Sequence, residues 1–262
     1  MKAIVLAGGR GTRLAPYTKI LPKPLMPIDD MPILEVILRQ MKSAGVVDVT
    51  LTVGHLSALL KAFFQDGHQW GLNIVYSYEE KPLGTAGPIA LVNGLDDTFI
   101  VTNGDVLTTL DFRELINFHK SRNAIATIAS HRRQVHIDLG VLQSDGGCSA
   151  KGDIANMDAC SYRDRCRFWQ GGCIVTGYNE KPDINYVVSM GIYIFEPHVL
   201  NYIPRNQYLD FPDLVLKLIA AKEKVVAFPY DGYWKDLGRP DDYEQAADDF
   251  SKMRAQFLPE EL

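Results

Sequence analysis

Outside one window, running from Cys148 to Cys173, this chain of 262 residues contains no cysteine. A small scaffold stapled by disulfides is therefore excluded, and the fold must rest on a hydrophobic core. Long apolar runs are missing as well, since no segment approaches the roughly 20 residues needed to cross a bilayer. Basic runs are equally scarce and the net charge is -5, so nothing predicts attraction to a nucleic-acid backbone. The apolar start from Met1 is short and runs straight into Gly8, Gly9 and Arg10. It reads as a buried first strand rather than a secretory signal. The expectation is a cytoplasmic protein that binds neither membrane nor nucleic acid.

What is present is apolar residue in quantity, 47% of the chain, arranged as strand-length runs alternating with longer stretches of helical period. That alternation predicts an α/β fold with a mainly parallel central sheet. Lys2–Leu6, Val49–Val53, Ile74–Tyr78, Phe99–Thr102 and Ile125–Ala129 read as strands, and Ile33–Ala44, Leu56–Gln65, Ala86–Val92 and Phe112–Ser121 as helices. Leu56, Leu59, Leu60, Phe63 and Phe64 recur at the spacing of a helix face packed on a sheet. After about Ser130 the pattern shifts to short strands with turns at Gly140–Gln143, Cys173–Tyr178 and Val187–Phe195. These predict a smaller, partly antiparallel subdomain. Helical segments follow at Pro197–Ile203 and Phe211–Ala221, then a strand at Val225–Tyr230 and an acidic helix from Asp241. One domain spanning 1–262 is expected, with no appended repeat domain.

The first strand runs into Leu6-Ala7-Gly8-Gly9-Arg10-Gly11-Thr12-Arg13-Leu14. Without Cβ atoms such a loop can turn sharply and aim several backbone N–H groups at one anion. Arg13 adds a planar fork of donors suited to phosphate oxygens. The loop does not fit the dinucleotide fingerprint, which would place Leu14 at its third glycine, and it lacks the Gly-Lys-Ser/Thr ending of a P-loop. Downstream, Pro16, Pro22, Pro24 and Pro27 predict an extended, stiffened segment that presents Lys23 at a set distance from the glycines.

This loop, continued by Pro16, Thr18, Lys23 and Pro27, resembles the signature of the sugar-1-phosphate nucleotidyltransferases, or nucleotide-sugar pyrophosphorylases. The resemblance implies a Rossmann-like fold with a smaller sugar-binding subdomain, and covers nearly the whole chain apart from the cysteine window. It implies that Leu6, Ala7, Gly8, Gly9, Gly11, Thr12 and Arg13 hold the nucleotide, and that Lys23 stabilises charge on the phosphates. Tyr78-Glu79-Glu80-Lys81-Pro82-Leu83-Gly84-Thr85-Ala86-Gly87 is similar to the family's base-binding segment, which puts Glu79, Gly84 and Thr85 at the nucleobase. A carboxylate only accepts hydrogen bonds, and guanine offers adjacent N1–H and N2–H donors, so Glu79 leans the base toward guanine.

Asn103-Gly104-Asp105 follows a strand, at the end where ligands gather in open α/β sheets. Trp234-Lys235-Asp236-Leu237-Gly238 resembles the family's late motif, and the resemblance makes Asp105 and Asp236 joint holders of a metal. Two carboxylates plus phosphate oxygens suit Mg²⁺. On the sugar side, the Glu180-Lys181-Pro182 element implies hydroxyl contacts from Glu180 and a phosphate contact from Lys181. Ser189, Gly191 and Gly140 are the further sugar contacts, although Ser189 stands where many mannose-using relatives carry asparagine.

The activity implied is transfer of a nucleotidyl group from a nucleoside triphosphate to a sugar 1-phosphate, without a covalent intermediate, in a chain that forms homo-oligomers or acts alone. Guanylyl transfer to mannose or heptose 1-phosphate is the leading expectation, and uridylyl or thymidylyl transfer to glucose 1-phosphate the alternative. A non-catalytic sugar-nucleotide sensor would be expected to lose the carboxylates or the lysine kept here, and a glycosyltransferase to carry an Asp-x-Asp metal motif, which Asn103-Gly104-Asp105 is not. The segment 149–173 reads as an insertion on a turn. Cys148, Cys160, Cys166 and Cys173 leave zinc, disulfides or reduced thiols in a lid or subunit contact all open, with no C-x₂-C pair to favour zinc.

Overall fold

The computed structural model describes residues 1–9, 11–144, 172 and 174–259; Arg10, the four cysteines and nearly all of the proposed insertion lie outside them. The chain divides into two compact units, one of 1–130 with 189–262 and one of 131–188.

In the larger unit β1 (Lys2–Leu6) is followed by three single 3-10 turns, at Thr12–Leu14, Tyr17–Lys19 and Lys23–Leu25. The prolines thus stiffen successive turns here rather than the extended segment expected from sequence. A small ribbon, β2 (Pro27–Ile28) with β3 (Met31–Pro32), leads into α1 (Ile33–Ser43), whose Leu34, Leu38 and Met41 are fully buried. Next come β4 (Asp48–Val53), α2 (Ser57–Phe64), β5 (Asn73–Tyr78), β6 (Phe99–Asn103), β7 (Val106–Thr108) and α3 (Phe112–Arg122). Asp111 caps α3 by accepting from the Arg113 N–H, satisfying a backbone donor that the first helical turn leaves open. Beyond β8 (Ala126–His136) lie β9 (Val141–Ser144), β10 (Val175–Asn179) and β11 (Asp183–Phe195). The chain then adds α4 (Phe211–Ala220), β12 (Val225–Tyr230), β13 (Trp234–Asp236) and α5 (Pro240–Phe257).

Seven of these strands form one sheet in the order β12-β8-β11-β6-β1-β4-β5. β1 pairs in parallel with both β4 and β6, β4 with β5 in parallel, and β11 runs antiparallel to β6. The mainly parallel sheet read from the apolar runs is what forms, and its central strands, such as Phe99, Ile100 and Val101 of β6, are buried on both faces, as parallel sheets require. In the smaller unit β9 and β10 pair antiparallel.

Two local expectations need correction. Ala86–Val92 forms a five-residue 3-10 turn at Gly87–Leu91 instead of an α-helix. Gly87 and Pro88 start it, the Leu209 carbonyl accepts from the N–H groups of Ala86 and Gly87, and the chain is extended again at Val92. Pro197–Ile203 likewise forms only a 3-10 turn, at Pro197–Tyr202. The apolar face of α2 also divides. Leu60 and Phe64 are buried, while Leu59 and Phe63 are 40% and 43% exposed; Phe63 stacks on Trp70 with ring centroids 6.1 Å apart. Phe64→Ala is expected to cost about 3–5 kcal/mol, and Leu59→Ala under about 1 kcal/mol. Chemical denaturation of the two variants would show whether the face is split in this way.

Candidate active site

The geometry starts at the carboxyl ends of β1 and β6. The Ala7 N–H donates to the Thr52 carbonyl at 2.9 Å and the Gly104 N–H to the Leu6 carbonyl at 2.9 Å, which pins the loops leaving both strands. Gly104 is confined here, because a Cβ would stand 3.0 Å from the Leu6 oxygen. Asp105 follows immediately. β13 pairs antiparallel with β7, setting Asp236 opposite Val106, and the Leu237 N–H donates to the Asp105 carbonyl at 3.1 Å. This ladder brings together two carboxylates that are far apart in sequence.

Lys23 arrives from the other side. It is 7% exposed, its ammonium donates to Asp105 Oδ2 in a short contact, and it lies 3.7 Å from Asp236 Oδ1. Its backbone is held close to the glycine loop: Gly11 has φ +60, a Cβ there would meet Thr18 Cγ2 at 2.9 Å and Lys23 Cβ at 3.3 Å, and Thr18 Oγ1 donates to the Gly11 carbonyl at 2.7 Å. Arg13 lies against Gly238, where a Cβ would come within 2.8 Å of Nη2. Burial pushes the Asp236 carboxyl above its usual value, the Asp105 charge pushes it further, and Lys23 and Arg13 pull the other way. A single ammonium thus faces two carboxylates. The two carboxylates form an all-oxygen donor set, which fits a hard divalent cation that keeps much of its water. Among the described residues no group of three or more His, Cys, Asp or Glu gathers around a metal position, so the protein's share of the ligands here is the two carboxylates.

Leu6, Ala7, Gly9, Gly11, Thr12, Arg13, Lys23, Pro24, Asp105 and Gly238 line a cavity of 260 Å³. A second cavity of 680 Å³ shares Leu6, Gly9 and Asp105 and extends along Gly8, Glu79, Gly84 and Thr85. Glu79 is half-buried. Its Oε2 accepts from the Leu83 N–H at 3.0 Å, and its Oε1 stands so close to Gly8 that a Cβ there would lie 2.9 Å away. Burial raises its carboxyl above the ordinary value, against the pull of the Leu83 N–H. The Thr85 N–H donates to Asp210 Oδ1 at 2.9 Å.

Of the residues assigned to the sugar, Ser189 and Gly191 belong to the larger unit. Ser189 Oγ donates to the Tyr193 hydroxyl at 3.0 Å and accepts from the Gly191 N–H at 3.3 Å. Gly191, with φ +74, leaves room for Asn103, whose Nδ2 a Cβ would approach to 2.6 Å. Gly140, Glu180 and Lys181 belong to the smaller unit, where Lys181 pairs with Asp138 at 2.8 Å and Gly140 yields space to the Tyr178 ring. Sequence reasoning missed His55, Asn103, Tyr208 and Asp210, all in the wall of the larger cavity. Asn103 was within reach, as the residue before Gly104-Asp105; the others carry no local pattern.

The nucleotidyl transferase family matches residues 2–253. A UTP--glucose-1-phosphate uridylyltransferase from Synechocystis sp. is 33% identical over 94% of this chain and 62% of its own length. A mannose-1-phosphate guanyltransferase from Yarrowia lipolytica is 34% identical over 93% of this chain and 62% of its own. The chain thus spans about three fifths of the curated relatives it matches. In fold it resembles a Bacillus anthracis protein solved in complex with a sucrose, with a TM-score of 0.71, 21% identity and 98% coverage of both chains. With its glycine loop, its lysine and its paired carboxylates in the positions described, the chain belongs to the nucleotidyl transferase family.

Proposed function

We propose that this chain transfers a nucleotidyl group from a nucleoside triphosphate to a sugar 1-phosphate. The observation that carries the reading is the convergence of Lys23 on Asp105 and Asp236 beside the cavity walled by the glycine loop and Arg13. The backbone of Gly8, Gly9 and Gly11 cradles the triphosphate. A phosphate oxygen of the sugar 1-phosphate attacks the α-phosphorus, a new P–O bond forms, and the α–β bridge breaks to release pyrophosphate. Lys23 and Arg13 offset the charge that grows on the leaving pyrophosphate. Asp105 and Asp236 would hold Mg²⁺, which would supply positive charge to the phosphate oxygens. No side chain here serves as a nucleophile, so catalysis rests on alignment and charge. Gly140, Glu180, Lys181, Ser189 and Gly191 are assigned to the sugar phosphate.

Guanylyl transfer to mannose or heptose 1-phosphate is the preferred pairing. Glu79 supports it as an acceptor in the base cavity, and so does the guanyltransferase among the relatives. Uridylyl or thymidylyl transfer to glucose 1-phosphate is the second reading, favoured by the uridylyltransferase relative. Among the described residues no helix is long and apolar enough to cross a membrane; we assign the enzyme to the cytoplasm. Pyrophosphate release from the purified chain, screened over the common triphosphates and hexose or heptose 1-phosphates with magnesium, tests the reading. Release is expected with one pairing well above the rest, and no release with any pairing would sink it.

A further inference from the structure

The base loop is fastened from a segment more than a hundred residues downstream. The Leu209 N–H donates to the Leu83 carbonyl at 2.9 Å, and the Leu209 carbonyl accepts from Ala86 at 2.9 Å and Gly87 at 3.0 Å. Asp210 completes the brace. Its Oδ1 accepts from the Thr85 N–H at 2.9 Å and from Thr85 Oγ1 at 3.2 Å, and its Oδ2 accepts from the Tyr208 hydroxyl at 2.6 Å. Thr85 Oγ1 in turn accepts from the Phe211 N–H at 2.9 Å. Gly84 turns at φ +79 directly beneath this network, where a Cβ would lie 2.6 Å from the Leu209 oxygen and 2.8 Å from Asp210 Oδ1. No other residue type passes there without moving the brace. Tyr208, Asp210, Glu79, Gly84 and Thr85 all line the same cavity.

We infer that Asp210, with Tyr208 behind it, is a positioning residue for the nucleobase: it sets the Gly84–Thr85 backbone at the height from which the base is read. The inference rests on the nucleotidyl-transfer reading above. Asp210 acts through Thr85 and not on the reacting phosphates. Its loss therefore weakens triphosphate binding and base choice while the chemical step survives. The Asp210 carboxyl is held below its usual value by the Tyr208 hydroxyl above all, and by Thr85 against the effect of burial, so it meets the loop as an acceptor. Asparagine keeps an acceptor oxygen for Thr85 and should restore most of the function.

The test uses the full chain and whichever substrate pair the screen finds active. For Asp210→Ala the KM for the triphosphate is expected to rise about tenfold, equivalent to one lost charge-assisted hydrogen bond, with kcat changed by less than about threefold. Preference for the best triphosphate over the next should fall in parallel. Asp210→Asn should recover most of both, and Tyr208→Phe, a change at an exposed side chain that spares the backbone brace, should raise KM about two- to threefold. An unchanged KM and unchanged preference in Asp210→Ala and Tyr208→Phe would overturn the inference, as would a fall in kcat alone. A wild-type chain inactive with every pair would instead remove the transfer reading on which it stands.

Discussion

Lys23→Ala is expected to reduce kcat by about 10²–10³ and to lower thermal stability at the same time. The first effect follows from the position of the ammonium beside both carboxylates and in the wall of the glycine-loop cavity, where the proposed reading seats the triphosphate. A fixed donor at the site of developing charge is worth roughly that factor when removed. The second follows from burial. The lysine side chain is 8% exposed and Asp105 25%, and removing one partner leaves a carboxylate with its hydration partly stripped and its counter-charge gone. Saturating magnesium should restore part of the lost stability if Asp105 and Asp236 hold the ion, and should restore little of the turnover. Steady-state kinetics and a thermal melt with and without magnesium separate these outcomes. A variant that melts like wild type and turns over within about threefold would remove Lys23 from the mechanism.

Asp236→Asn should split activity from stability in the opposite sense. Turnover is expected to fall by at least about a hundredfold, because the proposed Mg²⁺ would lose one of its two carboxylate ligands. The melting temperature, measured with a chelator present, should be no lower than wild type. In the folded protein this carboxyl is held above its ordinary value by burial and by the neighbouring Asp105 charge, so its ionised form opposes folding at neutral pH. An amide of the same shape removes that repulsion and can turn its NH2 toward Asp105 while its oxygen faces Lys23. A lower melting temperature in chelator would contradict this account of the site's electrostatics even if activity were lost.

The parts of the fold that could be read from sequence are those where local pattern and tertiary demand coincide. Lys2–Leu6 and Val225–Tyr230 form strands with the bounds read from their apolar runs. Phe211–Ala220 keeps its helix because Leu214 and Leu218 recur on one buried face. Reading failed where a distant partner decides. At Gly87–Leu91 the segment is anchored at its start by the distant Leu209 carbonyl, which accepts from Ala86 and Gly87, and it is extended again at Val92. On α2 the eight-residue length and the position of Trp70 leave Leu59 and Phe63 outside the core although their spacing suits it.

The candidate site divides along the same line. Gly8, Gly11, Lys23, Asp105 and Asp236 stand in runs whose glycines and prolines have visible backbone consequences, and the resemblance could attach to those runs. Their mutual arrangement could not be read. That Lys23 bridges the two carboxylates depends on the β7–β13 ladder. Asp210 enters through a loop of ordinary composition and matters only because it meets Thr85. Ser189, singled out as a sugar contact, has its hydroxyl engaged with Tyr193 and the Gly191 N–H. A sugar hydroxyl would have to share that oxygen.

The reaction itself is tested most directly by following phosphorus. The purified chain is given magnesium, a sugar 1-phosphate and the active triphosphate labelled in one experiment at the α-phosphorus and in another at the γ-phosphorus. The account predicts that α label appears in a nucleotide sugar and γ label in pyrophosphate, in equal amounts. Label released as inorganic phosphate, or γ label carried onto the sugar, would contradict it.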